Sequence, residues 1–120
     1  MAPYRVLVID DDEEIRAALA EYLVDVEGFE VALAENGAAG LARLEQGPLP
    51  GAVLVDSLMP ILDGAGTIER MRANPAWAKI PVILSSGDPR APALPADRWL
   101  AKPFSIDDLV ATLKDVLEAA

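Results

Sequence analysis

No cysteine and no histidine occur among the 120 residues. The first absence excludes a disulfide framework and any thiolate metal site. The second excludes imidazole metal ligands, Ser–His and Cys–His catalysis, and a phosphohistidine carried by the chain itself. Positive charge is also scarce: 10 Lys and Arg against 20 Asp and Glu give a formal net charge of −10. Such a surface repels a phosphate backbone and an anionic bilayer, so direct contact with nucleic acid or membrane is not expected. No apolar run approaches the roughly 20 residues needed to span a bilayer. The opening Met1-Ala2-Pro3-Tyr4-Arg5 leads into a strand without the layout of a signal peptide. The expectation is a soluble, cytoplasmic protein with one domain over residues 1–120.

What is present alternates between two kinds of segment. Short apolar runs lie at Arg5–Ile9, Phe29–Ala34, Ala52–Val55, Pro81–Ser85 and Trp99–Ala101. The first, third and fourth are nearly all apolar, as strands buried on both faces are. Helical stripes separate them. Ile15, Ala18, Leu19, Tyr22, Leu23 and Val26 recur at three and four residues, as do Ala38, Leu41 and Leu44, then Ile68 and Met71, then Ile106, Leu109, Val110, Leu113, Val116 and Leu117. Gly28 and Gly47-Pro48 punctuate the first two helices, and Ser105 with Asp108 forms a near capping box before the last. Strands alternating with helices imply an α/β fold, a parallel sheet covered on both faces.

One crossover breaks the pattern. Prolines stand at 89, 92 and 95, where the helix between the fourth and fifth strands is expected. Each removes a backbone donor and clashes with the preceding turn, at about 3 kcal/mol per interior position. The spacing predicts an extended or irregular segment over 87–97, with helix 4 shortened or absent.

In a doubly wound sheet the loops beyond the carboxyl ends of the strands share one rim. Asp10 and Asp11 follow the first strand, Asp56 ends the third, Ser85-Ser86 ends the fourth, and Lys102-Pro103 follows the fifth. Crowded carboxylates repel and raise one another's pKa, which a divalent cation relieves, and hard oxygen ligands suit Mg2+. A cation, a carboxylate, a hydroxyl and a lysine together suit phosphoryl transfer, with the carboxylate as nucleophile. Taken singly, each residue has a plainer reading as a helix cap, a turn residue or a surface lysine. Asp12, Glu13 and Glu14 are best read as capping the first helix.

Val8-Ile9-Asp10-Asp11-Asp12, Val55-Asp56-Ser57-Leu58-Met59-Pro60-Ile61-Leu62-Asp63-Gly64, Pro81-Val82-Ile83-Leu84-Ser85-Ser86-Gly87 and Lys102-Pro103-Phe104 resemble, in order, the receiver domains of two-component response regulators. The resemblance implies a flavodoxin-like five-stranded sheet in the order 2-1-3-4-5. It implies Asp56 as phosphoacceptor, Mg2+ held by Asp10, Asp11, Asp56 and the backbone carbonyl of Leu58, and Lys102 as partner of the phosphoryl group or of Asp56. Ser86 is similar to the hydroxyl that moves onto the phosphoryl oxygen, and Trp99 stands where the family carries its aromatic switch. The Lys102-Pro103 bond is often cis in this family. The implied partners are a sensor histidine kinase or a histidine phosphotransfer protein, and a downstream protein whose identity the sequence does not give. The implied activity is self-phosphorylation and self-dephosphorylation, not turnover of a separate substrate. Two alternatives stand beside this reading. One is a haloacid-dehalogenase-type phosphatase with Asp10 as nucleophile and Asp12 two residues on. The other is a receiver-like fold that is never phosphorylated.

Overall fold

A computed structural model describes residues 3–88 and 96–119. Five strands, β1 (Arg5–Ile9), β2 (Glu30–Ala34), β3 (Ala52–Asp56), β4 (Val82–Ser86) and β5 (Arg98–Ala101), form one parallel sheet in the order β2-β1-β3-β4-β5. The strand bounds fall within one residue of those read from the sequence. Pro81 has no N–H to give the ladder, so β4 starts at Val82, while Asp56 is still in register with Ser85 and so belongs to β3.

Alternation along the strands sorts the core into two layers. Val6, Val8, Leu54, Ile83 and Leu100 face one side, where Leu19, Leu23, Leu109 and Leu113 cover them from α1 (Glu13–Asp25) and α4 (Ile106–Glu118). Leu7, Ile9, Val53, Val55 and Leu84 face the other, under Leu44 of α2 (Gly37–Gln46) and Ile68 and Met71 of α3 (Gly64–Ala73). Each fully buried aliphatic contributes about 1.5–3 kcal/mol. The three interior strands, β1, β3 and β4, are apolar except at their ends because both of their faces are covered.

Each helix begins on a side chain that satisfies its orphan N–H groups. Asp12 accepts from Glu14 and Ile15, Asn36 from Ala39, Asp63 from Gly66, and Ser105 from Asp108. The caps read at Asp12 and Ser105 are thus present. α1 is followed by Gly28 at φ +72°, a left-handed position that glycine takes without steric cost.

Counted along the chain, the described residues hold four helices, and the fourth is the 13-residue α4. The expectation that helix 4 is shortened or absent is therefore not borne out. The proline-rich segment expected in its place has no support either: residues 89–95, on which that expectation rests, lie outside the described residues. The penalty for proline in a helix interior is local. It does not reach α4, whose sequence contains no proline.

Candidate functional site

The carboxyl ends of β1, β3 and β5 place three even-numbered residues on one face. Asp10 continues the side of Val8, Asp56 that of Leu54, and Lys102 that of Leu100, all toward α1 and α4. The Lys102 ammonium lies 3.2 Å from Asp56 Oδ1 and 3.6 Å from Asp10 Oδ2. Asp11 joins from the rim, so that Asp10, Asp11 and Asp56 each offer an oxygen within 4.8 Å of the others. Asp10 and Asp56 are buried, while Asp11 is exposed. The Lys102-Pro103 bond is cis.

The backbone around Asp10 is tied down. Its Oδ1 accepts the Asp12 N–H at 2.9 Å, and its carbonyl accepts from Arg16 Nη1 of α1 at 2.7 Å. Asp12 is occupied elsewhere, as the cap of α1. The haloacid-dehalogenase alternative needed Asp10 and Asp12 as a working pair, and here the second carboxylate is committed to backbone N–H groups.

Charge is strained in this pocket. Burial pushes Asp56 above the ordinary carboxylate range. Lys102 opposes that push, and the neighbouring charges of Asp10 and Asp11 reinforce it. For Lys102, burial works to lower the pKa, but Asp56 and Asp10 outweigh it and hold the ammonium above its usual value. The lysine therefore stays charged, and the carboxylates remain under-neutralised. Three hard oxygen donors with a net negative balance fit a small divalent cation such as Mg2+, which keeps water in its remaining positions.

The structure does not bring Ser86 into this group. Ser86 shares its side of the sheet with Leu84, opposite to Asp56. There its buried Oγ accepts from Ser57 Oγ at 2.7 Å and from the Asp88 N–H at 2.9 Å. Trp99, in register with Leu84, lies on the outer strand and is 41 % exposed. Leu58 stands two residues past Asp56 on the rim and is 73 % exposed. Ser57 is the residue that sequence reasoning missed. The available signal was register: if Asp56 pairs with Ser85, position 57 comes beside position 86.

The loop from β3 to α3 is held tightly. Gly64 packs so closely that a Cβ there would lie 2.7 Å from the Asp56 carbonyl oxygen and 2.9 Å from Ser57 Cα. Three residues earlier, Ile61 takes φ +71° with its side chain 82 % exposed. A β-branched residue in the left-handed region costs about 1–2 kcal/mol relative to one that tolerates it. Ile61→Asn is expected to stabilise the fold by about 1 kcal/mol and to raise Tm by roughly 3–6 °C in a thermal melt. An unchanged or lower Tm would show that Ile61 makes compensating contacts.

Comparison with known proteins agrees with this geometry. The sequence profile of the response regulator receiver domain matches residues 6–114. The transcriptional regulatory protein PrrA of Mycobacterium tuberculosis is 39 % identical over 117 residues, covering 94 % of this chain and 49 % of that protein. The chain spans about half the length of the curated relatives it matches. Chemotaxis protein CheY4 of Vibrio cholerae superposes with a TM-score of 0.86 at 28 % identity, over 96 % of this chain and 99 % of that one. Response regulator TrrA of Thermotoga maritima, solved in complex with Mg2+ and beryllofluoride, gives 0.83 at 29 % identity, over 94 % and 98 %. None of this favours the phosphatase reading. By profile, sequence and fold together, the chain belongs to the response regulator receiver domains, a family of phosphoacceptor signalling domains.

Proposed function

We propose that residues 1–120 act as one receiver domain in which Asp56 is the phosphoacceptor. The observation that carries this is the placement of Lys102 Nζ 3.2 Å from a buried Asp56 that also shares a three-carboxylate cluster with Asp10 and Asp11. An Asp56 oxygen attacks the phosphorus of a phosphohistidine on a sensor kinase or histidine phosphotransfer protein. The phosphorus–nitrogen bond breaks, and the imidazole leaves as an acyl phosphate forms. Asp10, Asp11, Asp56 and the carbonyl of Leu58 would hold Mg2+, which when bound supplies positive charge to the transferring oxygens. Lys102 supplies a second positive charge and pairs with a phosphoryl oxygen. Ser86 then donates its hydroxyl to another, and Trp99 reports that movement on the outer strand. The raised pKa of Asp56 marks a carboxylate poorly solvated in its resting state, which favours its use as a nucleophile.

The output is a change in protein binding. A surface at net charge −10 is a poor partner for DNA, so any link to transcription, as the name of PrrA suggests for that protein, would run through a protein partner or a separate DNA-binding segment. Phosphotransfer from a sensor kinase places the domain in the cytoplasm.

Labelling with acetyl phosphate, followed by borohydride trapping and peptide mass spectrometry, is expected to mark Asp56 alone. A label on Asp10 would return the phosphatase reading, and no label in the presence of Mg2+ would favour a domain that is never phosphorylated.

A further inference from the structure

Ser86 is poorly placed for the task its position suggests. A hydroxyl has two lone pairs and one hydrogen. Here both lone pairs of Ser86 Oγ are taken, one by Ser57 Oγ–H at 2.7 Å and one by the Asp88 N–H at 2.9 Å. Its own hydrogen is what remains to give, and a phosphoryl oxygen can only accept. The chemistry is therefore right but the location is not. In a parallel pair, residues in register point the same way, and Asp56 is in register with Ser85. Ser86 thus belongs to the opposite face, and its hydroxyl must cross the carboxyl edge of the sheet to meet a group on Asp56.

Ser57 is well fixed to prevent that crossing. Its N–H donates to the Ser85 carbonyl at 2.9 Å, and its own carbonyl accepts the Gly64 N–H at 3.1 Å. The close approach of Gly64 to Ser57 Cα fills the space behind it. With the backbone pinned on both sides, the Ser57 hydroxyl is presented to β4 in one place. We infer that Ser57 is a positioning residue that latches Ser86 in the resting state, so that phosphoryl capture requires exchange of the Ser57–Ser86 hydrogen bond for one from Ser86 to a phosphoryl oxygen. The inference rests on the reading of Ser86 as the phosphoryl-binding hydroxyl. The exchange has a second consequence: the Asp88 N–H loses the Ser86 acceptor at the same moment, which couples the latch to the chain beyond β4.

A ligand's apparent affinity falls in proportion to the fraction of protein in the competent state. A bond made only in the resting state therefore weakens binding of a phosphoryl mimic. The test is calorimetric titration of the Mg2+-saturated chain with beryllofluoride, with the Asp88 amide followed by NMR. Ser57→Ala is expected to tighten beryllofluoride binding about 2- to 10-fold, the worth of one ordinary hydrogen bond. Ser57→Thr, which keeps the hydroxyl, is expected to stay at the wild-type value. Ser86→Ala is expected to weaken binding, and adding Ser57→Ala to it is expected to change nothing further. If Ser86→Ala weakens binding while Ser57→Ala leaves it unchanged or weakens it, the latch is overturned and the role of Ser86 survives. If Ser86→Ala has no effect, both readings fall together.

Discussion

Asp56→Asn is expected to lose phosphoryl uptake from acetyl phosphate entirely, by more than about 100-fold, while making the folded domain more stable at neutral pH. The two effects have one origin. An amide cannot form the acyl phosphate, and Asp10 and Asp11 do not stand in, because Asp10 Oδ1 is held by the Asp12 N–H and Asp11 is exposed. Stability rises because burial, with the charges of Asp10 and Asp11, raises the pKa of Asp56 in the fold despite Lys102. For a carboxyl whose folded pKa lies above its unfolded one, the stabilising contribution is complete below the unfolded pKa and is lost as pH rises through the folded pKa. As the pH rises through the folded pKa the native domain comes to bear the penalty of an ionised Asp56, and the asparagine variant bears none. The Tm difference between variant and wild type should therefore be positive at pH 7 and shrink as the pH falls toward 4, a trend read from melts in the absence of Mg2+. A less stable variant at pH 7 would mean that the Lys102–Asp56 pair outweighs burial.

How far such a site can be read from sequence depends on which residues report their own surroundings. The apolar runs of β1, β3 and β4 do so, because only strands covered on both faces lack polar positions. Once those strands are placed, the residues at their carboxyl ends must share a rim, and Asp10, Asp56 and Lys102 follow without knowledge of any distance. Ser57 does not report itself. A serine after a strand reads as an ordinary turn residue, and only the pairing of Asp56 with Ser85 sets its hydroxyl beside that of Ser86. The same limit applies to the face on which Ser86 rests, since a motif gives position along the chain and not side of the sheet. Ile61 is misleading rather than silent, because its side chain favours extended backbone while the loop holds it at φ +71°. The remark that helix 4 is shortened or absent failed for a different reason, although the four helical stripes match the four described helices. Proline spacing constrains the residues that carry it, and the expectation extended that constraint to an element of the fold, although the fourth described helix lies beyond β5 and is complete.

Lys102→Ala is expected to pull apart two properties that a metal-dependent site usually shows together. In the resting pocket the ammonium pairs with the carboxylates of Asp56 and Asp10, at 3.2 and 3.6 Å, so it competes with any cation for the same oxygens. Removing it takes away the ammonium that offsets the mutual repulsion of the three carboxylates. Mg2+ should then bind several-fold more tightly, and its stabilising effect, about 1.4 kcal/mol at ten times Kd, should appear at lower concentration. Phosphoryl uptake should move the other way. A group that neutralises charge developing on a transferring oxygen is worth roughly 10²–10³ in rate, and the other cation beside the pocket, Arg16, is engaged by the Asp10 backbone carbonyl at 2.7 Å rather than by a carboxylate. Lys102→Arg keeps the charge but exchanges a compact ammonium for a planar fork, so an intermediate rate is expected. Magnesium titration followed by thermal melts, and uptake measured at saturating Mg2+, separate the two properties. Tighter Mg2+ binding with slower uptake supports a lysine that serves the phosphoryl group and not the metal. Weaker Mg2+ binding would show that the Lys102 ammonium holds the carboxylates in the arrangement the cation needs, and would overturn the competition between ammonium and metal.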